Sequence, residues 1–346
     1  MSRPKYNAIY VTSLHDDDCE IIVRSNGKIF CLHISPSDFQ NSTAALKYYH
    51  SCLEVLKTGE EQIDGPLECD FYDWIMPPFE PFMADLAPAT ASVLQKARVG
   101  RVTLHDYLFP DWFVCRLEVS DEALLPRRVI AQRSGRLPPG VRLDVDVLRD
   151  LATWAVSFLP SEVGLSFEQP EEALFKHPEK VRVRNSQTAY FFKPFNPGAG
   201  SRQAQTELEN YKRIAMAELA PSTLICRLHG VVQDERGFLM GMLLTYIDHE
   251  RETLEIAIGP DTPLSLRQHW ATQVTETLTA LHRAGLVWGD AKPDNVLVDT
   301  ENNAWIVDFG GSRTEGWVDK KTAGTVEGDL RALEKIVCFV LTKWLS

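Results

Sequence analysis

The stretch that most constrains this chain is LVWGDAKPDNVLVD, residues 286–299, read together with the TENNAWIVDFG that follows it. VLVDTENNAWIV has apolar runs on either side of a polar turn from Asp299 to Asn303, the pattern of a β-hairpin. A hairpin brings the residue before its first strand beside the residue after its second, so Asn295 and Asp308 stand at one end. Ahead of it, SLRQHWATQVTETLTALHRAG spaces Trp270, Val274, Leu278 and Leu281 at steps of four, four and three. One face of a helix is therefore buried, and Gly285 stops it. Ser265 and Gln268 have the spacing of a capping box at its start. Helix, polar loop and hairpin together hold Asp290, Lys292, Asn295 and Asp308 on a rigid support.

Those side chains suit one chemistry. Phosphoryl transfer asks a protein for positioning and for neutralisation of polyphosphate charge, and for little covalent help. It needs a carboxylate at the attacking hydroxyl, hard oxygen ligands for Mg²⁺, and a lysine held in place for the phosphates. D-x-K-P-x-N at 290–295, followed after a hairpin by DFG with Asp308 18 residues beyond Asp290, resembles the catalytic core of the protein-kinase-like superfamily. Within it, the chain is similar to fungal kinase-like proteins with an atypical, truncated core. The resemblance runs from about 160 to 346.

It implies an α+β, two-lobed fold: a small β-rich lobe at about 160–246 and a shortened helical lobe at about 247–346. An added α+β region of unknown role, 1–159, precedes them. It further implies Asp290 as catalytic base, Lys292 at the transferring phosphate, and Asn295 and Asp308 as Mg²⁺ ligands. Lys193 in AYFFKPF becomes the phosphate-binding lysine, with Glu207 as its helix partner and Glu209 as the rival choice. In FLMGMLLTYIDHE, Leu244 backs the adenine pocket, and Thr245, Tyr246 and Ile247 offer backbone groups to the base. ATP and Mg²⁺ are the expected cofactors, and the acceptor is a small-molecule or protein hydroxyl. Two other readings stay open: a pseudokinase scaffold, or an enzyme of this fold that uses ATP for nucleotidyl transfer or carboxylate activation.

The sequence departs from the family pattern in three places. Trp288 stands where these proteins usually carry histidine, and Gly289 where many carry arginine. An indole N–H still donates one hydrogen bond, and it fills more volume. Between 162 and 193 the one glycine is Gly164, so QPEEALFKHPEK lacks the turn that cradles phosphates with backbone N–H groups. Lys176, His177 and Lys180 are the cations nearby, and a solvated loop face is their plainer reading. Asp308 and Asp329 are 21 residues apart, short for an activation segment with a peptide-docking platform. Asp329, near the start of VEGDLRALEKIVCFVLTKWL, is expected to cap the catalytic loop from below.

The rest of the chain is less specific. Asn26-Gly27 between apolar runs marks a hairpin, because both residues tolerate positive φ. NSTAALKYYHSCLEVLKTG has helical spacing from Leu46 to Leu56. DFYDWIMPPFEPFMADLAP, rich in aromatics and proline, is expected as an irregular packed segment, with a substrate or partner surface as its second reading. QRSGRLPPGVR, 132–142, has linker composition, and a helix over about 145–157 follows it. A net charge of −12 argues against nucleic-acid or anionic-membrane partners. Seven scattered cysteines without a C-x-x-C pair fit a reducing compartment, and with no signal-like run the expected location is cytoplasmic. No metal-cluster or serine-hydrolase motif competes with the kinase-like reading.

Overall fold

The computed structural model describes residues 6–13, 17–58, 66–120, 123–129, 139–195, 200–249, 253–311 and 313–344. Most of the linker expected at 132–142 lies outside them. The chain forms two compact units: 1–136 with 161–178, and 137–160 with 179–346. The units therefore do not follow a single cut at 159/160. A segment from each side of that point belongs with the other partner.

The first unit is built on a sheet ordered β1 (Tyr6–Ser13), β2 (Cys19–Ser25), β3 (Lys28–Ile34), β4 (Trp112–Ser120) and β5 (Ala123–Val129). Asn26 and Gly27, at φ 47° and 76°, close the β2–β3 hairpin with the double positive-φ turn their identities foreshadow. The β3–β4 pair is parallel, which requires a crossover. Helices α1 (Thr43–Thr58), α2 (Glu68–Leu86), α3 (Ala91–Arg98) and α4 (Leu104–Leu108) lie within it. One sheet face, through Ile21, Val23, Phe30, Leu32, Cys115 and Leu117, packs with Tyr49, Leu53, Phe71 and Phe79.

Helix α2 corrects a sequence expectation. The proline-rich segment is a continuous helix, with Pro77, Pro78 and Pro81 inside it. An interior proline costs a helix ~3 kcal/mol. Phe71, Ile75, Phe79 and Met83, at steps of four, are fully buried together, and each such burial contributes ~1.5–3 kcal/mol. Tertiary packing offsets the prolines, two of which lie on the exposed side.

The chain enters the second unit through β6 (Val141–Arg142), α5 (Val145–Leu151) and β7 (Ser157–Phe158). It returns to the first for β8 (Val163–Leu165) and re-enters the second with β9 (Lys180–Val183) and β10 (Ala189–Pro194). Then follow α6 (Gly200–Met216), β11 (Leu228–Gln233), β12 (Phe238–Thr245), α7 (Leu254–Ala257), α8 (Leu264–Arg283), the hairpin β13 (Val296–Val298)–β14 (Ala304–Ile306), and α9 (Val326–Thr342). Strands β7, β11, β12, β10 and β9 are neighbours in that order, with β6 paired to β12. Strands first and helices after give the two-lobed α+β arrangement.

Helix α5 stops at Leu151, short of the expected 157, because 157–158 pair with β11. Helix α8 starts at Leu264 behind Pro263, so Ser265 already lies inside the first turn and the expected capping box does not form. Its buried stripe, Trp270, Val274, Leu278 and Leu281, packs in one core with Trp288, Val296, Ile306, Ala332 and Ile336. Among the described residues, no helix is long and apolar enough to cross a membrane.

Candidate active site

Strand β10 alternates, so Phe192 enters the core while Lys193 leaves the sheet on the other face. The Lys193 Nζ donates to Glu207 Oε1 at 2.7 Å and to Asp308 Oδ1 at 2.8 Å. Burial works against this ammonium, yet the two carboxylates hold its pKa above the ordinary lysine value. Burial also lifts the Glu207 carboxyl above its usual range, outweighing the pull of Lys193. Glu209, the rival, accepts instead from Gln205 Nε2 at 2.8 Å on an exposed face. Two residues on a helix differ by more than half a turn, so the pair cannot both face Lys193.

Helix α6 also grips the DFG segment. Asn210 Nδ2 donates to the Phe309 carbonyl at 2.8 Å, and the Tyr211 ring meets the buried Phe309 edge-on at 5.9 Å. Asp308 sits at φ 60°, an uncommon conformation for a residue with a side chain. Gly310 N–H donates to Asp308 Oδ1 at 3.2 Å, and a Cβ at 310 would come within 3.1 Å of that oxygen.

The loop from Trp288 to Asn295 is tied down from two sides. Asp329, fully buried on α9, accepts from the N–H groups of Trp288 and Gly289 at 2.8 Å each and bonds His282 Nε2 at 2.9 Å. The expected cap from below is what its carboxylate does. Trp288, 1 % exposed, donates its Nε1–H to the Val307 carbonyl at 2.9 Å, immediately before Asp308. The indole thus joins the loop to the DFG backbone and fills the core. Gly289, at φ +90°, takes a conformation that a side chain would strain.

Asp290 is 3 % exposed. Its Oδ2 accepts from Asn295 Nδ2 at 3.2 Å and from Thr314 Oγ1 at 3.1 Å, and Lys292 Nζ stands 3.6 Å away. Lys292 donates to Thr314 Oγ1 at 2.8 Å, so that hydroxyl links lysine and carboxylate. Asn295 Nδ2 also donates to the Asp290 carbonyl at 2.9 Å. Hairpin pairing of Val296 with Ile306 places Asn295 and Val307 side by side, and Val307 N–H donates to the Asn295 carbonyl at 3.0 Å.

Sequence reasoning missed Thr314 and Asn210. Neither belongs to a motif with a defined spacing from Asp290. Position 210 follows from helix periodicity once Glu207 is chosen, since it lies three residues on. Leu244 is buried at the end of β12, and the Thr245 N–H is committed to the Arg227 carbonyl at 2.9 Å. Tyr246 and Ile247 continue from it, and Lys180 Nζ lies 4.3 Å from the centre of the Tyr246 ring. Lys176 and His177 are engaged inside the first unit, with Glu172 at 2.5 Å and the Tyr107 hydroxyl at 2.9 Å.

Residues 181–329, which include Lys193 through Asp329, match the family model described as Protein kinase domain. The chain is 29 % identical over 130 residues to Serine/threonine-protein kinase mrck-1 of Caenorhabditis elegans, covering 38 % of this chain and 8 % of that protein. It is 30 % identical over 86 residues to human Myotonin-protein kinase, covering 25 % and 14 %. With Serine/threonine-protein kinase ppk21 of Schizosaccharomyces pombe it shares 23 % over 224 residues, 63 % of this chain and 36 % of the relative. The chain thus spans well under half the length of these curated relatives. The matched segment, 181–329, is a domain of the protein-kinase-like superfamily.

Proposed function

We propose that this unit is an ATP- and Mg²⁺-dependent phosphotransferase that moves the γ-phosphoryl group to a hydroxyl of a small molecule or a protein. The observation that carries the reading is the shared grip of Glu207 and Asp308 on Lys193, together with an Asp290 held by Asn295 and Thr314. Lys193, oriented by Glu207, binds the α and β phosphates, and Lys292 binds the transferring group. Leu244 backs the adenine, and the Thr245 carbonyl, its N–H being held by the Arg227 carbonyl, faces the base with the backbone of Tyr246 and Ile247. Asp308 and Asn295 suit Mg²⁺: both offer hard oxygens, and Asn295 uses its Nδ2 for Asp290, which leaves Oδ1 as its ligand atom. Bound there, the ion supplies neutralisation of phosphate charge. Asp290 Oδ2 receives the acceptor hydroxyl's proton, and Thr314 keeps that carboxylate and Lys292 in register.

The test is transfer from labelled ATP to an acceptor panel, read by product mass. Asp290→Asn is expected to lower kcat by ~10²–10⁴-fold while nucleotide affinity stays within a few-fold. Turnover near wild type in that variant would refute the base assignment. A nucleotidyl rather than phosphoryl mass gain would move the reaction to the other use of ATP. The absence of a glycine turn between Gly164 and Lys193 favours, as second reading, a scaffold that binds nucleotide without turnover. No mass gain with any acceptor, alongside measurable ATP binding, is its signature.

A further inference from the structure

In the first unit, β2 and β3 present a second set of side chains on the face opposite the Ile21–Phe30 core. Cys31 and His33 are two apart on β3 and share that face. Glu20 is the register partner of His33 across the antiparallel pair. Cys31 Sγ lies 3.5 Å from His33 Nε2, and His33 Nε2 lies 3.5 Å from Glu20 Oε2. The ligand atoms of all three are within 4.8 Å of one another.

These lengths, which an ordinary hydrogen bond and ion pair also show, match those of a tetrahedral metal site. Bonds of about 2.3 Å to sulfur and about 2.0–2.1 Å to nitrogen and oxygen, set at tetrahedral angles, give edges of about 3.3–3.6 Å. The Cys31–His33 and His33–Glu20 separations, 3.5 Å each, are edges of that size. We propose that Cys31, His33 and Glu20 form a zinc site on the β2–β3 hairpin, with water or another ligand in the fourth position. A thiolate, an imidazole and a carboxylate form a borderline-soft set that suits Zn²⁺ over Mg²⁺ or Ca²⁺. The two anions balance the ion's charge, so the site needs no further counter-charge.

Burial fits as well. Cys31 is 5 % exposed, which shields the thiolate from oxidants, while the His33 and Glu20 side chains are 34 % and 17 % exposed and leave a path for the ion. The tight Asn26–Gly27 turn fixes the register that sets the three side by side. The site lies outside the kinase-like segment and owes nothing to the phosphotransfer reading.

The experiment titrates the full chain, reduced and metal-free, with Co²⁺ as the probe, followed by Zn²⁺. One equivalent of Co²⁺ is expected to give thiolate-to-metal charge-transfer absorption with tetrahedral ligand-field bands, and Zn²⁺ is expected to displace it. Cys31→Ser is expected to abolish the charge-transfer band. His33→Gln and Glu20→Gln are expected to weaken binding by about tenfold or more. Cys338→Ser, an exposed cysteine of the other unit, is expected to change nothing. Circular dichroism checks that each variant is folded; should Cys31→Ser fail to fold, the two glutamine variants decide. No thiolate band in the wild type would overturn the site. So would a band that survives Cys31→Ser, ignores both glutamine variants, or vanishes in Cys338→Ser.

Discussion

Trp288 shows how a residue that breaks a family pattern can serve the same site. Its backbone N–H is fixed by Asp329, and its indole N–H by the Val307 carbonyl. Replacing it with phenylalanine keeps most of the buried volume but leaves that carbonyl without its donor. An unpaired buried polar group costs ~1–3 kcal/mol. Trp288→Phe is therefore expected to lower the unfolding free energy by about that much in a denaturant titration. It should also reduce turnover, since Asp308 follows Val307 directly. A variant as stable and active as wild type would show that the indole bond carries no weight. The sequence was informative about the indole's spare donor and about the DFG backbone as its target, while the particular carbonyl, that of Val307, comes from the fold. Thr314 was illegible for a related reason: its contact with Asp290 depends on how the segment after DFG folds back, and no periodicity encodes that.

Among elements, the β13–β14 hairpin holds Asn295 and Asp308 at one end through its far turn. There Asp299 accepts from the N–H groups of Glu301 and Asn303 at 2.9 and 2.8 Å, and from Trp305 Nε1 at 2.8 Å. Partial burial works against its charge, but these donors outweigh it and hold the pKa below the ordinary value of 3.8. A depressed carboxyl stabilises the fold above its unfolded pKa and loses that contribution as pH falls through the folded value. Asp299→Ala is thus expected to cost about 1 kcal/mol at neutral pH, because solvent screens much of this partly exposed carboxylate's charge. The gap to wild type should narrow as pH falls below 3.8, and a gap independent of pH across the acid range would contradict the ionised role. The hairpin was legible because strand pattern and polar turn agree. Helix α2 was not, because local proline chemistry argued for an irregular segment while the step-of-four stripe from Phe71 to Met83 argued for a helix. The stripe won through burial that only the tertiary fold supplies.

For the molecule as a whole, the two cores have separate memberships. Ile21, Phe30, Tyr49 and Phe79 belong to one, and Trp270, Trp288 and Ile336 to the other. Phe79→Ala is expected to destabilise the first unit by ~3–5 kcal/mol. ATP affinity should stay within about twofold while that unit remains folded; a large change in affinity would refute the independence of the cores. Two-lobed kinase-like architecture was legible from motif order alone. The exchange of segments 137–160 and 161–178 between units was not, because linker composition marks where a chain is extended and carries no information about which core it joins.

Lys193, Asn295 and Asp308 are expected to make a working Mg·ATP site. Thermal unfolding with ATP, with and without Mg²⁺, on wild type and Asp308→Asn tests it most directly. Ligand at about 100 times its Kd stabilises a fold by ~2.7 kcal/mol, a shift of several degrees for a unit of this size. The wild type is expected to show a Mg²⁺-dependent shift that Asp308→Asn loses. No shift at millimolar ATP, or an equal Mg²⁺-dependent shift in the variant, would contradict it.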